Sequence, residues 1–184
     1  KNDGSLEEEV ETFGSLYDPL TTIRDNYKLT MDKKWNIQGY MSYKFAKHFT
    51  ARVDLGYQSR HIATDRYYGP TTYFARNTGR PGIEGGTAQL QVTDEYSTVL
   101  TNHNTLEWKQ TFENDHNVSV LVGEETVIRK GETKNQYGFG YKGSYDVLNG
   151  EIFNYLGQAA YSEFTNYVDP RDNQLSFLAR ANYD

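Results

Sequence analysis

Trp35-Asn36-Ile37-Gln38-Gly39-Tyr40-Met41-Ser42-Tyr43-Lys44-Phe45 places an apolar or aromatic side chain at every odd position except Gly39. The even positions carry Asn36, Gln38, Tyr40, Ser42 and Lys44. A period of two is the mark of a β-strand with one apolar face, because successive side chains of a strand point to opposite sides of the sheet. Ala46-Lys47-His48 is a short connection, after which Phe49, Ala51, Val53, Leu55 and Tyr57 alternate with Thr50, Arg52, Asp54, Gly56 and Gln58. Two alternating runs across a tight turn make a β-hairpin, expected over about 33–66.

A second hairpin is expected over about 94–131. Tyr96, Leu100, Leu106, Trp108 and Phe112 share one parity, with Asn102 and Asn104 interrupting the apolar face near its middle. Glu113-Asn114-Asp115-His116 supplies the turn. Val118, Val120, Val122, Thr126 and Ile128 return on one face, with Leu121 and Val127 blurring the alternation. A last run, Leu175, Phe177, Ala179, Ala181 and Tyr183, reads as the beginning of a fifth strand that stops midway, which suggests a truncated chain.

The connections differ sharply in length. Short turns alternate with stretches of about 67–93 and 132–172, both well beyond the dozen or so residues of an ordinary loop. The first holds five glycines, two prolines and the aromatics Tyr67, Tyr68, Tyr73 and Phe74; the second is rich in Gly, Tyr and Asn, with some order expected near 151–161. Outer-membrane barrels segregate their connections in this way, with short periplasmic turns and long extracellular loops.

Composition fits that reading. The 184 residues include 24% charged side chains, with a mean hydropathy of −0.81. No run of 18 apolar residues exists, so a transmembrane helix is excluded, but barrel strands are apolar only at alternate positions and average out as polar. Aromatics reach 15%, as the interfacial girdles of barrels require, although a Tyr-rich secreted or surface carbohydrate-binding module would show the same enrichment. The absence of cysteine removes disulfides and thiolate chemistry. A net charge of −6 without a basic patch argues against nucleic-acid binding. The opening Lys1-Asn2-Asp3-Gly4 leads into the acidic run Glu7-Glu8-Glu9, not an apolar one, so any export signal is expected upstream.

Catalytic and metal chemistry find little support. His48 and His116 belong to separate hairpins, and His61 and His103 have no evident partners. Glu124 and Glu125 are adjacent on a strand and so face opposite ways, which prevents them from flanking one bond; one is expected in the lumen and one near a strand end. Gly79-Arg80-Pro81-Gly82 and Gly85-Gly86 lack the lysine and the helix of a phosphate loop. No catalytic residue, metal site or cofactor is expected.

The stretch Asn104-Thr105-Leu106-Glu107-Trp108, followed by Phe112, His116-Asn117-Val118 and Gly123-Glu124-Glu125, resembles the "N-x-L-x-aromatic … F … H-x-hydrophobic … G-x-E" hairpin of SusC-like TonB-dependent outer-membrane transporters, the RagA/SusC family of the Bacteroidetes. Leu175-Ser176-Phe177 with Arg180-Ala181-Asn182-Tyr183 is similar to the strand that follows there. Asp18-Pro19-Leu20 resembles an N-P-L element before the earlier hairpin, with Asp for the usual Asn.

The resemblance implies an all-β fold: about four to five strands of a larger antiparallel transmembrane β-barrel, expected to have about 22 strands as in outer-membrane transporters. All of 1–184 would belong to the barrel domain, with the plug and N-terminal domains lying outside it. The implied function is import of oligosaccharides or peptides across the outer membrane, beneath a SusD-like surface lipoprotein and powered through TonB by way of the plug. Tyr67, Tyr68, Tyr73, Phe74, Tyr137, Phe139, Tyr141 and Tyr145 are the candidate substrate- or lid-contacting residues. The same rings also suit anchoring at the outer membrane interface. Arg52, Asp54, Glu107, Lys109 and Arg180, on the polar parity, are a second set, expected to face the lumen.

Overall fold

The computed structural model describes residues 19–77, 82–83, 85–113, 116–141, 151–170 and 172–184. Six strands form one antiparallel sheet: β1 (Asn26–Phe45), β2 (Phe49–Tyr68), β3 (Ala88–Phe112), β4 (His116–Tyr141), β5 (Tyr161–Val168) and β6 (Asp172–Tyr183). Their order is β1-β2-β3-β4-β5, and β6 also pairs with β4. Since β3 occupies one edge of β4, β5 and β6 share the other. The sheet does not close on itself among these strands.

β1 and β2 are 20 residues each, β3 is 25 and β4 is 26. A strand needs only about 9–11 residues to cross a bilayer. The ladder therefore extends past the run read from sequence into Lys28-Leu29-Thr30-Met31-Asp32-Lys33, where Leu29 and Met31 keep the apolar parity and Lys33 interrupts it. The second long connection also contains more structure than the sequence suggests. β4 continues to Tyr141, Glu151–Gln158 forms a 3₁₀ segment kinked at Tyr155, and β5 precedes β6. Short helices, α1 (Pro19–Arg24) and α2 (Tyr73–Arg76), complete the described elements.

The chain divides into two compact units. The turn unit comprises Asp32–His61, Glu95–Thr133 and Tyr167–Asp184; the loop unit comprises Lys1–Met31, Ile62–Asp94 and Lys134–Asn166.

In the turn unit, one face carries the apolar parity read from sequence, and it is bare. Trp35 is 70% exposed, Met41 73% and Phe177 76%. The register of β4 on β6 sets Val118 opposite Tyr183, Val120 opposite Ala181, Val122 opposite Ala179 and Thr126 opposite Leu175, so the parity is kept from strand to strand. Toward the short turns this face becomes aromatic. Phe45 stacks on Phe49 at 5.5 Å between ring centroids and on Tyr43 at 6.1 Å, and Trp108 lies 6.3 Å from Phe112. Glu124 shares the face, opposite Phe177 and in the middle of β4, rather than near a strand end.

In the loop unit, one face has its own small core. Ala88, Leu90, Tyr141 and Ile152 are buried together, with Tyr67, Phe153, Leu156 and Ala159 packed against them. The 3₁₀ segment covers this face through Ile152, Phe153 and Leu156, and the Tyr141 hydroxyl donates to the Leu156 carbonyl at 3.1 Å. Burying these few apolar side chains offsets the poor hydrogen-bond geometry of a 3₁₀ turn.

Candidate functional site

The connection after β2 is pinned close to the sheet. Asp25, just before β1, accepts from the Thr71 amide at 2.9 Å and the Thr71 hydroxyl at 2.7 Å, and the Gly69 amide donates to the Asp25 carbonyl at 2.7 Å. Thr72 is fully buried and caps α2. Its hydroxyl accepts from the Ala75 amide at 3.3 Å and donates to the Gly69 carbonyl at 2.8 Å. Threonine at an N-cap satisfies a helix amide that would otherwise lack a partner. The Gln89 amide on β3 then donates to the Phe74 carbonyl at 2.9 Å. These bonds hold Phe74 4.8 Å from the Tyr68 ring, tilted by 45°.

The result is a cleft of about 390 Å³ in the loop unit. Tyr68 and Phe74 form one wall, and Tyr137 and Phe139 of β4 form the other. Leu90, Gln89 and Gln91 of β3 and Glu163 and Thr165 of β5 complete it. Tyr137 and Phe139 are stacked at 6.3 Å, and Phe139 lies 6.0 Å from Tyr161. The Arg66 guanidinium sits 4.6 Å above the Tyr68 ring. Burial pushes the Tyr68 phenol above its ordinary value, with the Arg66 charge opposing; burial also raises Tyr67, with the Asp25 charge adding to it. Both phenols thus stay neutral at physiological pH.

Beside the cleft the polar side chains are tied to one another across three strands. Gln91 donates to Thr93 at 3.2 Å, Thr93 to Asn135 at 2.9 Å, and Asn135 to Thr165 at 3.2 Å.

The eight aromatics singled out by sequence therefore separate. Tyr68, Phe74, Tyr137 and Phe139 line one cleft. Tyr67 and Tyr141 belong to the small core under the 3₁₀ segment. Tyr73 is half exposed and meets Phe74 edge-on at 5.8 Å. Tyr145 lies outside the described residues, as does Gly79-Arg80-Pro81. Tyr137, Phe139 and Tyr141 stand at the end of β4 rather than in a loop. Gln89, Leu90 and Glu163 were not singled out from sequence, although the alternation of Gln89 and Gln91 with Leu90 and Val92 marks two faces.

In the turn unit the polar parity forms a separate hollow of about 730 Å³, lined by Gln38, Tyr40, Arg52, Asp54, His103 and Glu125, among others. Arg52 grips Asp54 with two hydrogen bonds of 2.6 and 2.8 Å and lies 4.3 Å above the Tyr40 ring. His103 approaches Asp54 at 3.9 Å, and Lys109 pairs with Glu107 at 2.8 Å. Arg180 stands opposite Leu121 in the register. Such mixed charges, held by their neighbours, suit a wetted surface and not a catalytic dyad. The remaining histidines are used locally. The His48 ring bonds the Lys109 carbonyl at 3.1 Å, His61 stacks on Tyr96 at 4.3 Å, and His116 bonds the Tyr183 hydroxyl at 2.6 Å. Among the described residues no three His, Cys, Asp or Glu side chains converge on a metal position.

No family model matches the chain, and no curated protein matches it. Solved structures do. The chain is similar to the RagAB peptide transporter, with a TM-score of 0.69 and 18% identity over 87% of this chain. It is similar also to the RagAB peptide importer in its closed-closed state (0.65, 17% identity, 87% of the chain) and its open-open state (0.62, 18% identity, 88% of the chain). In each case the match covers 16% of the other chain. The chain thus spans a small part of the length of these transporter chains, and its fold is that of a stretch of their sheet.

Proposed function

We propose that this chain is a stretch of the wall of an outer-membrane β-barrel that imports large nutrients, peptides or oligosaccharides, in a TonB-dependent manner under a SusD-like surface lipoprotein. One observation carries the reading. A sheet with a bare face of large apolar side chains at alternate positions carries ion pairs on its other parity, which is what a wall between lipid and water requires. An open sheet cannot span a bilayer, because its edge amides and carbonyls would lack partners in hydrocarbon. The barrel is therefore completed by further strands. Its plug and TonB-contacting parts belong to other segments. The likeness to a peptide transporter at 18% identity supports the architecture and the transport class.

In this reading the short turns face the periplasm. The connections around 67–93 and 132–172 face outward, and the cleft aromatics contact substrate or lid. The test is fractionation of cells expressing the protein that carries this chain, paired with uptake assays. Recovery in the outer membrane, with migration that shifts on heating, is the expected result, along with loss of uptake of a defined peptide or oligosaccharide pool on deletion. A water-soluble, monodisperse protein of about 21.2 kDa that binds carbohydrate without detergent would replace this reading with a secreted or surface binding module.

A further inference from the structure

We propose that the bare face of the turn unit pairs, through β3 and β4, with the same face of a second copy of this chain; this rests on the reading of that face as embedded in the membrane. The face is not uniformly apolar. Asn104 of β3 and Glu124 of β4 line one open hollow of about 530 Å³, together with Val53, Leu106, Val122 and Phe177. Asn102 and Thr126 are the next residues on the same face of the two strands, toward the long connections. Among the described residues the Asn102 and Asn104 side chains have no hydrogen-bond partner, and the Glu124 carboxylate accepts only from the Thr126 hydroxyl, at 3.2 Å. Lipid chains neither donate nor accept hydrogen bonds, so amides and a carboxylate left this way in hydrocarbon are costly. A second protein surface with matching groups relieves that cost.

The arrangement of these groups matches its own copy. β3 carries the amide donors Asn102 and Asn104, and β4 beside it carries the acceptors Glu124 and Thr126. Two copies inserted the same way round in one membrane are related by a two-fold axis along the membrane normal. The contact is then isologous: what residue i of one copy meets on the other, the other meets in return. With the axis between β3 and β4, Asn104 of each copy meets Glu124 of the other, and Asn102 meets Thr126, at nearly the same depth. The two carboxylates stand on opposite sides of the axis, each against an amide and not against one another. Leu100, Leu106 and Val122, between 37% and 45% exposed, surround the polar pairs with apolar surface.

The experiment uses the full-length protein that carries this chain, in outer membranes. The 184 residues contain no cysteine, so a thiol added here has no neighbour in this part of the wall. Two differently tagged copies, one with Asn104→Cys and the other with Glu124→Cys, are co-expressed and oxidised. A disulfide-linked band that carries both tags, at the mass of two copies, is the expected result; the reciprocal Asn104–Glu124 contact is retained in that pair. Met41→Cys, on β1 of the same face, is expected to give no such band in place of Asn104→Cys. Equal cross-linking from Met41→Cys, no band with both tags, or an adduct to a different protein overturns the proposal. Asn104→Leu with Glu124→Leu is expected to abolish the paired form in mild detergent and to leave the heat-shifted fraction intact, because leucine suits lipid. A paired form that survives this double substitution also overturns it. Failure of the wall reading is seen separately, as a protein that does not fractionate with the outer membrane, and takes this proposal with it.

Discussion

Asp25 does two jobs at one position. Its carboxylate holds Thr71, and its side chain occupies the space in which a Cβ on Gly69 would stand. Glycine at 69 is therefore required by close approach, not by backbone angle. Gly69→Ala is expected to push the carboxylate off Thr71 and loosen residues 69–77, at a cost of about 1–3 kcal/mol for the hydrogen-bonding groups left unsatisfied. Faster amide exchange across that turn, with β6 unaffected, would register it. Gly69→Ala in an Asp25→Ala background should cost far less, since the colliding group is gone. Asp65, on β2 in the loop unit, behaves differently. Burial raises its carboxyl above the ordinary value of 3.8, and the Asp94 charge raises it further. The unfolded chain then ionises at lower pH than the folded one. Stability falls as pH climbs from the ordinary value through the raised one, and the loss is complete above it. Asp65→Asn should accordingly slow amide exchange of the neighbouring strand relative to the parent at pH 7 and make no difference at pH 3; equal effects at both pH values would count against the sign.

At the scale of elements, the two strand runs of the first hairpin, 35–45 and 49–57, are legible because a half-bare strand must alternate. The turn between them was legible only as short. Ala46 and Lys47 both have positive φ, at 47° and 57°, the left-handed region that Gly and Asn adopt most readily. That geometry selects for Asn-Gly, and nothing in Ala-Lys signals it. Ala46→Asn with Lys47→Gly is expected to stabilise the hairpin by about 1 kcal/mol, read as a higher urea midpoint for unfolding at unchanged slope. β5 escaped detection for a different reason. Tyr161–Val168 ends at Asp169-Pro170, and proline cannot donate to a ladder, so the run looks like a loop. Tertiary pairing decides the matter: the Asp169 amide donates to the Gly131 carbonyl at 2.9 Å, keeping the chain along β4 between β5 and β6. The polar end of β4 and the 3₁₀ segment are likewise fixed by partners distant in sequence. In the cleft, the aromatic residues were visible as a class, but which of them share a wall depends on strand parity and on Asp25, neither of which composition records.

For the whole molecule the decisive question is which solvent each face of the turn unit meets. Met41 lies on the apolar parity of β1 and is 73% exposed, while Gln38 lines the polar hollow with Arg52 and Asp54. In a soluble protein an arginine at either exposed position would be nearly neutral. In a barrel wall the two differ, because a lipid-facing Arg or Lys at the bilayer midplane costs about 2–4 kcal/mol and a lumen-facing one does not. Met41→Arg is thus expected to lower the amount of heat-shifting protein recovered from outer membranes, and Gln38→Arg to leave it near the parent level. Phe177→Arg on β6, across from Glu124 in the register, is expected to follow Met41→Arg, with part of its cost offset by the carboxylate. Equal recovery of all three variants would mean that the bare apolar face does not meet hydrocarbon. The rows of Trp35, Met41, Leu175 and Phe177 would then have to be covered by protein instead.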